Sequence, residues 1–287
     1  EDRLCRGLGA SPGQLLVTAG GDDALARIAQ AVIDPGDHAI ATTPTFEMIP
    51  RYVRLAGGEL SEVTWFKGDF PVDEVVRGIT PSTRAIFVVT PNNPTGSVAS
   101  ARDLEILSRA APSALLVVDL AYTEFADEDL TGAALSLPNA VAVRTFSKAW
   151  GLAGLRVGYV IGPEHVMSWL RSVGQPYAVA APSAAVAAWA IDNLASEVAR
   201  GVEQVRSERA TLTGIFRARG MEVLDSQANF ILVRSPRSVE VASHLEKAGI
   251  VARLFRNRPN LDNCLRLTCP GEPAAFDRVI RALETLP

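Results

Sequence analysis

The sequence from residue 144 to residue 158 reads Arg144-Thr145-Phe146-Ser147-Lys148-Ala149-Trp150-Gly151-Leu152-Ala153-Gly154-Leu155-Arg156-Val157-Gly158. A run with strand character, residues 140–143, leads into it. Two hydroxyl side chains stand just before Lys148, and Arg156 follows eight residues after the lysine. We interpret the segment as a strand that ends in a loop carrying one amine, two hydroxyls and one guanidinium.

The chemistry of this segment depends on Lys148. Small and partly apolar neighbours remove water from an ammonium group, so burial is expected to favour the neutral, nucleophilic amine. A free amine forms a Schiff base with an aldehyde, and hydroxyls beside the fork of Arg156 suit a phosphate. An aldehyde with a phosphate beside it describes pyridoxal phosphate. The alternative is a solvent-exposed lysine in a glycine-rich loop.

The composition places few limits on function but excludes several classes of partner. The 287 residues are enough for one large domain or two smaller ones. A hydrophobic content of 48% with 21% charged residues is ordinary for a globular protein. The net charge of -4 argues against a nucleic-acid partner. The sequence has no apolar run long enough to span a bilayer, so we expect no membrane partner.

The three cysteines, Cys5, Cys264 and Cys269, are too few and too scattered for a disulfide framework. With the three histidines at positions 38, 165 and 244 they give no metal-binding spacing. We therefore expect no metal site and a reducing, cytoplasmic location.

Short apolar runs alternate with helical patterns, which predicts an α/β fold with a mostly parallel sheet flanked by helices. The predicted strands of this sheet are residues 15–18, 38–42, 60–63, 84–89, 114–118, 140–143 and 158–161. Residues 182–219 are predicted to be largely helical, with interruptions at Gly201 and Gly214. We place a domain change near residue 195, giving a large domain of residues 1–194 and a smaller α+β domain of residues 195–287.

The turns that follow the predicted strands carry polar side chains. Gly20-Gly21-Asp22-Asp23 lies between a strand and a helix, where free backbone N–H groups and the helix dipole favour an anion. The alternative is that Asp22 caps the helix. Phe46 follows a turn with a proline, where its ring could stack on a flat ligand or belong to the core.

Two further turns offer groups for a ligand. Asn93 lies in Thr90-Pro91-Asn92-Asn93-Pro94-Thr95-Gly96, a rigid turn, and is either a ligand contact or an Asx turn. Asp119 ends a strand that is apolar throughout, and Tyr122 comes three residues later. A carboxylate at the carboxyl end of a strand suits a protonated ring nitrogen, although it could equally cap the next helix.

Arg266 is surrounded by apolar residues in Leu265-Arg266-Leu267. Such an arginine is either an edge residue that faces water or an inward residue that holds a carboxylate.

Taken in order, these stretches resemble the fold-type I pyridoxal-phosphate enzymes of the aspartate-aminotransferase superfamily, and most of all the histidinol-phosphate aminotransferase branch. The matching pieces are collinear over most of the chain. They are Gly20-Gly21-Asp22-Asp23, Pro44-Thr45-Phe46, Pro91-Asn92-Asn93-Pro94-Thr95-Gly96, Asp119-Leu120-Ala121-Tyr122, Thr145-Phe146-Ser147-Lys148 with Arg156, and Asn263-Cys264-Leu265-Arg266-Leu267-Thr268.

The resemblance implies a role for each residue. Lys148 holds pyridoxal phosphate as a Schiff base and moves the substrate proton. Asp119 pairs with the ring nitrogen, and Phe46 stacks on the ring. The ring hydroxyl is held by Asn93 and Tyr122. The cofactor phosphate is held by Gly21 and Asp22 through backbone N–H groups and by Thr145, Ser147 and Arg156. Arg266, with Asn93, binds substrate.

The resemblance also implies an amino donor, 2-oxoglutarate as acceptor, a place in histidine biosynthesis, and a homodimer with shared sites. Relatives carry an N-terminal arm ahead of the point where this sequence starts, with a tyrosine that reaches the partner subunit's cofactor. The sequence departs from the pattern at Asp23 and Leu120, where glutamate is common, and at Phe46, where tyrosine is common in the branch it matches best. The side chain of Phe46 cannot form a hydrogen bond, so the identity of the substrate stays open.

Three functions remain open from sequence. The first is an aminotransferase for histidinol phosphate or an aromatic amino acid. The second is a pyridoxal-phosphate decarboxylase of the phosphothreonine type, which shares these motifs. The third is a non-catalytic relative, against which the presence of both Lys148 and Asp119 argues.

Overall fold

Seven strands form the main sheet of the protein, which the computed structural model describes over residues 1–258 and 260–286. The strands are β1 (Leu15–Thr18), β2 (His38–Thr43), β3 (Glu59–Thr64), β4 (Thr83–Val89), β5 (Leu115–Asp119), β6 (Ala140–Thr145) and β7 (Gly158–Ile161). Their order is β1-β7-β6-β5-β4-β2-β3. All neighbours from β3 to β6 pair in parallel, whereas β7 runs antiparallel to both β1 and β6. The predicted α/β fold with a mostly parallel sheet is confirmed.

Helices cover both faces of this sheet. They are α1 (Asp2–Leu8), α2 (Gly20–Val32), α3 (Met48–Leu55), α4 (Val72–Arg77), α5 (Ala101–Ala110), α6 (Thr131–Leu135), α7 (Glu164–Val173) and α8 (Ala181–Asn193). Helices α2, α3 and α7 pack on one face and α4, α5 and α6 on the other, so the sheet lies between two hydrophobic cores. Because β5 is buried along its whole length, its apolar run contacts both cores.

A second, antiparallel sheet follows. Its strands are β8 (Glu222–Val223), β9 (Phe230–Arg234), β10 (Arg253–Leu254) and β11 (Cys264–Thr268), in the order β10-β11-β9-β8. The helices of this part are α9 (Ala195–Ala218), α10 (Ser238–Lys247) and α11 (Pro273–Glu284). Their apolar side chains form a separate core, which Tyr122 and Phe125 also join from the first part of the chain. The domain boundary near residue 195 stays a prediction.

The interruptions predicted at Gly201 and Gly214 are wrong, because α9 runs through both positions without a break. A glycine inside a helix costs roughly 1 kcal/mol relative to alanine. Burial of Val202, Leu212 and Phe216 on one side of α9 outweighs that cost, since a buried large apolar side chain contributes about 1.5–3 kcal/mol.

One glycine brings two parts of the chain into close contact. A Cβ at Gly158 would lie 2.7 Å from the carbonyl carbon of Gly20 and 2.9 Å from the amide nitrogen of Gly21. Only glycine lets β7 pass this near the start of α2. The close approach fixes the N-terminus of α2 beside the end of β6.

Within the described residues, every helix is too short or too polar to cross a membrane.

Candidate active site

The carboxyl ends of the parallel strands meet around one cavity of about 240 Å³. All eleven residues assigned to cofactor or substrate from the sequence line it. These are Gly21, Asp22, Phe46, Asn93, Asp119, Tyr122, Thr145, Ser147, Lys148, Arg156 and Arg266. Their convergence follows from topology, because most of them end a parallel strand or lie in the turn after one. Gly21 and Asp22 begin α2, Arg156 lies just before β7, and Arg266 lies on β11 of the second sheet.

Asp119 lies at the bottom of the cavity and is only 5% exposed. Its Oδ1 accepts the backbone N–H of Ala121 at 3.0 Å. Burial raises the pKa of Asp119 to about 6, although the Ala121 N–H and the charge of Lys148 oppose the shift. A buried carboxylate with this little compensation is a favourable partner for a cationic ligand group.

Lys148 follows β6 and reaches over Tyr122, with its Nζ 5.1 Å from the ring centroid. The burial expected for Lys148 is wrong, because the residue is exposed. It lies in the loop after β6 and lines the cavity. Tyr122 is fixed from below by an edge-on contact with Phe230, with ring centroids 5.3 Å apart.

Hydroxyl groups, a guanidinium and a helix start converge at one end of the cavity. Thr145 Oγ1 donates to Ser147 Oγ at 3.0 Å, and Arg156 Nη1 donates to the same Ser147 oxygen at 3.3 Å. Arg156 adopts a left-handed conformation with φ 52°, which turns its side chain toward α2. The set of donors suits a phosphate dianion.

The helix-capping alternative for Asp22 is wrong. The side chain of Asp23 accepts the N–H of Ala19 at 2.8 Å and binds Arg27 Nε at 2.9 Å. Asp22 instead accepts from Arg156 Nη2 at 3.0 Å. Both members of this ion pair are about half exposed, so the pair contributes little stability and leaves Arg156 available to an anion.

Arg266 belongs to β11, which pairs with β10 on one side and β9 on the other. The position is therefore interior to its sheet, and the edge alternative is wrong. Arg266 Nη1 donates to Asn93 Oδ1, and its guanidinium lies 4.9 Å from the centroid of Phe230. Its Nε is buried without a hydrogen-bond partner among the described residues. The cation thus faces the cavity ready for a carboxylate or phosphate.

A family model decides the identity of the chain. The model for aminotransferase class I and II matches residues 4–283. The chain belongs to the class I and II aminotransferases. This membership confirms the predicted family and the predicted kind of enzyme.

Individual relatives of this aminotransferase cover most of its length. Histidinol-phosphate aminotransferase of Jannaschia sp. (strain CCS1) is 34% identical over 284 residues, which are 97% of this chain and 78% of the relative. An aromatic amino acid aminotransferase of Mycobacteroides abscessus is 35% identical over 260 residues, 89% of this chain and 75% of the relative.

The solved structure of histidinol-phosphate aminotransferase from Sinorhizobium meliloti in complex with pyridoxal-5'-phosphate superposes with a TM-score of 0.87. It is 24% identical, and the match covers 100% of this chain and 79% of that one. At this identity the likeness confirms the fold.

Sequence reasoning about this aminotransferase missed a buried charge network beside the cavity. Arg144, which is 8% exposed, binds Glu124 at 2.9 Å and Asp129 at 3.1 Å. The network ties the strand before Lys148 to the segment after Asp119. Polar residues scattered through residues 124–144 give no local pattern that predicts such a network.

Sequence reasoning also missed the mouth of the aminotransferase site. Arg253 lines the inner cavity, and Glu47 and Arg258 lie just outside it. The position of Glu47 directly after Phe46 was the only sequence signal that Glu47 lies near the site.

Proposed function

We propose that this aminotransferase uses pyridoxal phosphate to transfer an amino group between histidinol phosphate and the 2-oxoglutarate/glutamate pair, as in histidine biosynthesis. The observation that supports it most is the meeting of Asp119, Lys148 and the hydroxyl–arginine group around one cavity. Family membership and the histidinol-phosphate relatives support the substrate.

The residues present fit pyridoxal phosphate. A buried carboxylate suits a cationic ring nitrogen, and the donor cluster near α2 suits a phosphate. When bound, the cofactor supplies an aldehyde carbon and an electron-accepting ring. Asp119 would hold the proton on the ring nitrogen, and Lys148 would bond covalently to the aldehyde carbon.

Phe46 and Asn93 would orient the ring. Phe46 is half-buried against the core formed with α2 and α3, so its ring is held in place at the cavity wall. Because Asn93 Oδ1 accepts from Arg266, the amide N–H₂ of Asn93 remains to donate to the ring oxygen, beside the hydroxyl of Tyr122.

In turnover, the residues divide proton transfer from substrate binding. Lys148 would be the base that removes the proton from the substrate Cα and the acid that returns one. Arg266 would bind the carboxylate of glutamate in one half-reaction and the phosphate of histidinol phosphate in the other. A bidentate guanidinium suits both anions.

Product analysis of the purified chain with pyridoxal phosphate tests the substrate. We expect histidinol phosphate with 2-oxoglutarate to give glutamate, and the visible absorbance of the bound cofactor to change with histidinol phosphate and return with 2-oxoglutarate. Turnover of phenylalanine or tyrosine alone would favour the aromatic enzyme that the Mycobacteroides relative suggests. Release of carbon dioxide would identify a decarboxylase instead.

We also propose a homodimer located in the cytoplasm. Helix α8 is apolar on all sides yet mostly exposed, with Val186 41% and Trp189 55% accessible. Such a helix is typically covered by another chain. Sedimentation should give twice the chain mass, and Trp189→Glu should shift the measured mass toward that of the monomer. A monomeric unaltered chain would contradict the dimer.

The cytoplasmic location is tested by cell fractionation. Recovery of the chain outside the cytoplasmic fraction would contradict this location.

A further inference from the structure

A second cavity of about 360 Å³ lies directly outside the site and forms its mouth. The two cavities share Phe46, Asn93, Arg253 and Arg266, so they adjoin at these side chains. The outer cavity is lined by an excess of cations. Its charged residues are Arg51, Arg54, Arg253, Arg258 and Arg266 against Glu47 and Glu62.

Glu47 is the acid of the outer cavity that pairs with its arginines. It follows Phe46 directly, at the start of the turn into α3. Its Oε1 accepts from Arg253 Nη2 at 3.2 Å, and its Oε2 accepts from Arg258. One carboxylate thus occupies two guanidinium groups from the second sheet and the loop that follows it. The surrounding arginines outweigh burial and lower the pKa of Glu47, so it is ionised at neutral pH.

Arg253 links this pair to the substrate position. It stands opposite Arg266 on the neighbouring strands β10 and β11. Arg253 therefore faces the inner cavity while its guanidinium is held by Glu47 in the mouth. A substrate whose reacting amine lies at Lys148 would bring its remote end toward these two arginines.

The contacts of Glu47 can be exchanged. Its side chain is 30% exposed, and those of Arg253 and Arg258 are 50% and 45% exposed. Ion pairs with this much solvent access contribute little free energy, so an anion of higher charge can replace the carboxylate at small cost. A neutral group competes poorly with Glu47, because it has no net charge to attract the two guanidinium groups.

We propose that Glu47 is a built-in competitor of the substrate for Arg253 and Arg258. The arginine pair binds the anionic end of the substrate remote from the amine, either the second carboxylate of glutamate or a phosphate monoester that it shares with the adjoining Arg266. Glu47 occupies the pair between turnovers, sets the affinity for anionic substrates and returns as the product leaves. The proposal deepens the proposed function and rests on it for the position of the amine.

The test compares anion binding by the full chain loaded with pyridoxal phosphate, so that the cofactor's own phosphate site is filled. Inorganic phosphate is titrated by calorimetry into the unaltered chain and into Glu47→Gln. We expect phosphate to bind roughly three- to tenfold more tightly to Glu47→Gln, because the competing charge is gone while the side-chain shape is kept. Glutarate, titrated in parallel, separates a preference for phosphate from one for a second carboxylate.

Glu62→Gln is the matched control. Glu62 lines the same cavity, and within the described part of the chain it forms no ion pair. Glu62→Gln removes one negative charge, as Glu47→Gln does, but it releases no arginine. We expect less than a twofold change in phosphate affinity. An equal tightening in both variants would reduce the effect to net charge and overturn the proposal.

Weaker or unchanged phosphate binding in Glu47→Gln would also overturn the proposal, since Glu47 would then only hold the arginines in place. Arg258→Gln should weaken binding several-fold; unaltered binding would remove Arg258 from the anion site. Because phosphate binding is measured without turnover, a failure to transaminate histidinol phosphate would contradict the proposed substrate and leave the test of Glu47 intact.

Discussion

Lys148→Ala should lower kcat/KM for transamination by roughly 10⁴-fold or more, with the fold retained. The variant loses both the amine that bonds the cofactor and the base at the substrate Cα; acid–base catalysis alone contributes about 10²- to 10⁴-fold. The side chain is exposed and lies over the ring face of Tyr122, so its removal should cost little stability. Steady-state kinetics and a urea unfolding curve measure the two effects.

The sequence offers a direct control, because the chain has only three lysines, Lys67, Lys148 and Lys247. Lys247→Ala, at the end of α10, should keep full activity. Treatment of the loaded chain with borohydride should attach the pyridoxyl group to the peptide that contains Lys148 and to neither of the others. Wild-type turnover by Lys148→Ala, or a label on Lys67 or Lys247, would contradict the assignment.

Asp119→Asn should reduce kcat by roughly 10²- to 10⁴-fold, the range for loss of a catalytic proton position. An amide has nearly the same shape as the carboxylate, yet it cannot hold a proton on the ring nitrogen. Without that proton the ring accepts electrons poorly. Asp127→Asn, an exposed acid eight residues further on, should leave kcat unchanged. Equal losses in the two variants would remove Asp119 from the catalytic group.

The same substitution should stabilise the cofactor-free chain. The pKa of Asp119 is raised from 3.8 to about 6, so the folded state keeps its proton in a pH range where the unfolded state has released it. Stability of the cofactor-free chain therefore falls as pH rises from about 4 to about 6 and then levels off. Above pH 6, the free energy of unfolding of Asp119→Asn should exceed that of the unaltered chain by about 1–3 kcal/mol, since a shift of one pKa unit corresponds to about 1.4 kcal/mol.

Urea unfolding of the cofactor-free chain at several pH values checks this expectation. The difference in unfolding free energy between Asp119→Asn and the unaltered chain should grow from pH 4 to pH 6. A difference that stays constant with pH would mean that the carboxylate is not penalised by burial. A variant that loses activity and gains stability would show that the charge is retained for cofactor binding.

Much of the fold was predictable because its signals are local. Strands such as β5 are continuous apolar runs, and the turns after them carry glycine, proline and asparagine at fixed places. The chemistry of Asp119 and Lys148 could be inferred because parallel strands bring their carboxyl ends together. Because the alternation of strands and helices predicted a mostly parallel sheet, the turns after its strands were expected along one edge.

The path of α9 through Gly201 and Gly214 was not predictable in the same way. Glycine marks a local preference, whereas the helix is held by contacts of its apolar side with the second sheet. Likewise, Asp22 and Asp23 look alike as neighbours in sequence. Only the position of Arg156, 134 residues away, separates an ion pair from a helix cap.

The sequence by itself determined the kind of enzyme and the residues of its inner cavity, because those residues follow strands that local hydrophobic patterns reveal. Only the tertiary structure decided the interior position of Arg266, the exposure of Lys148 and the pairing of Glu47 with Arg253. Glu47 and Arg253 are 206 residues apart. Contacts of that range depend on how two sheets pack against each other, and no periodicity within either segment carries that information.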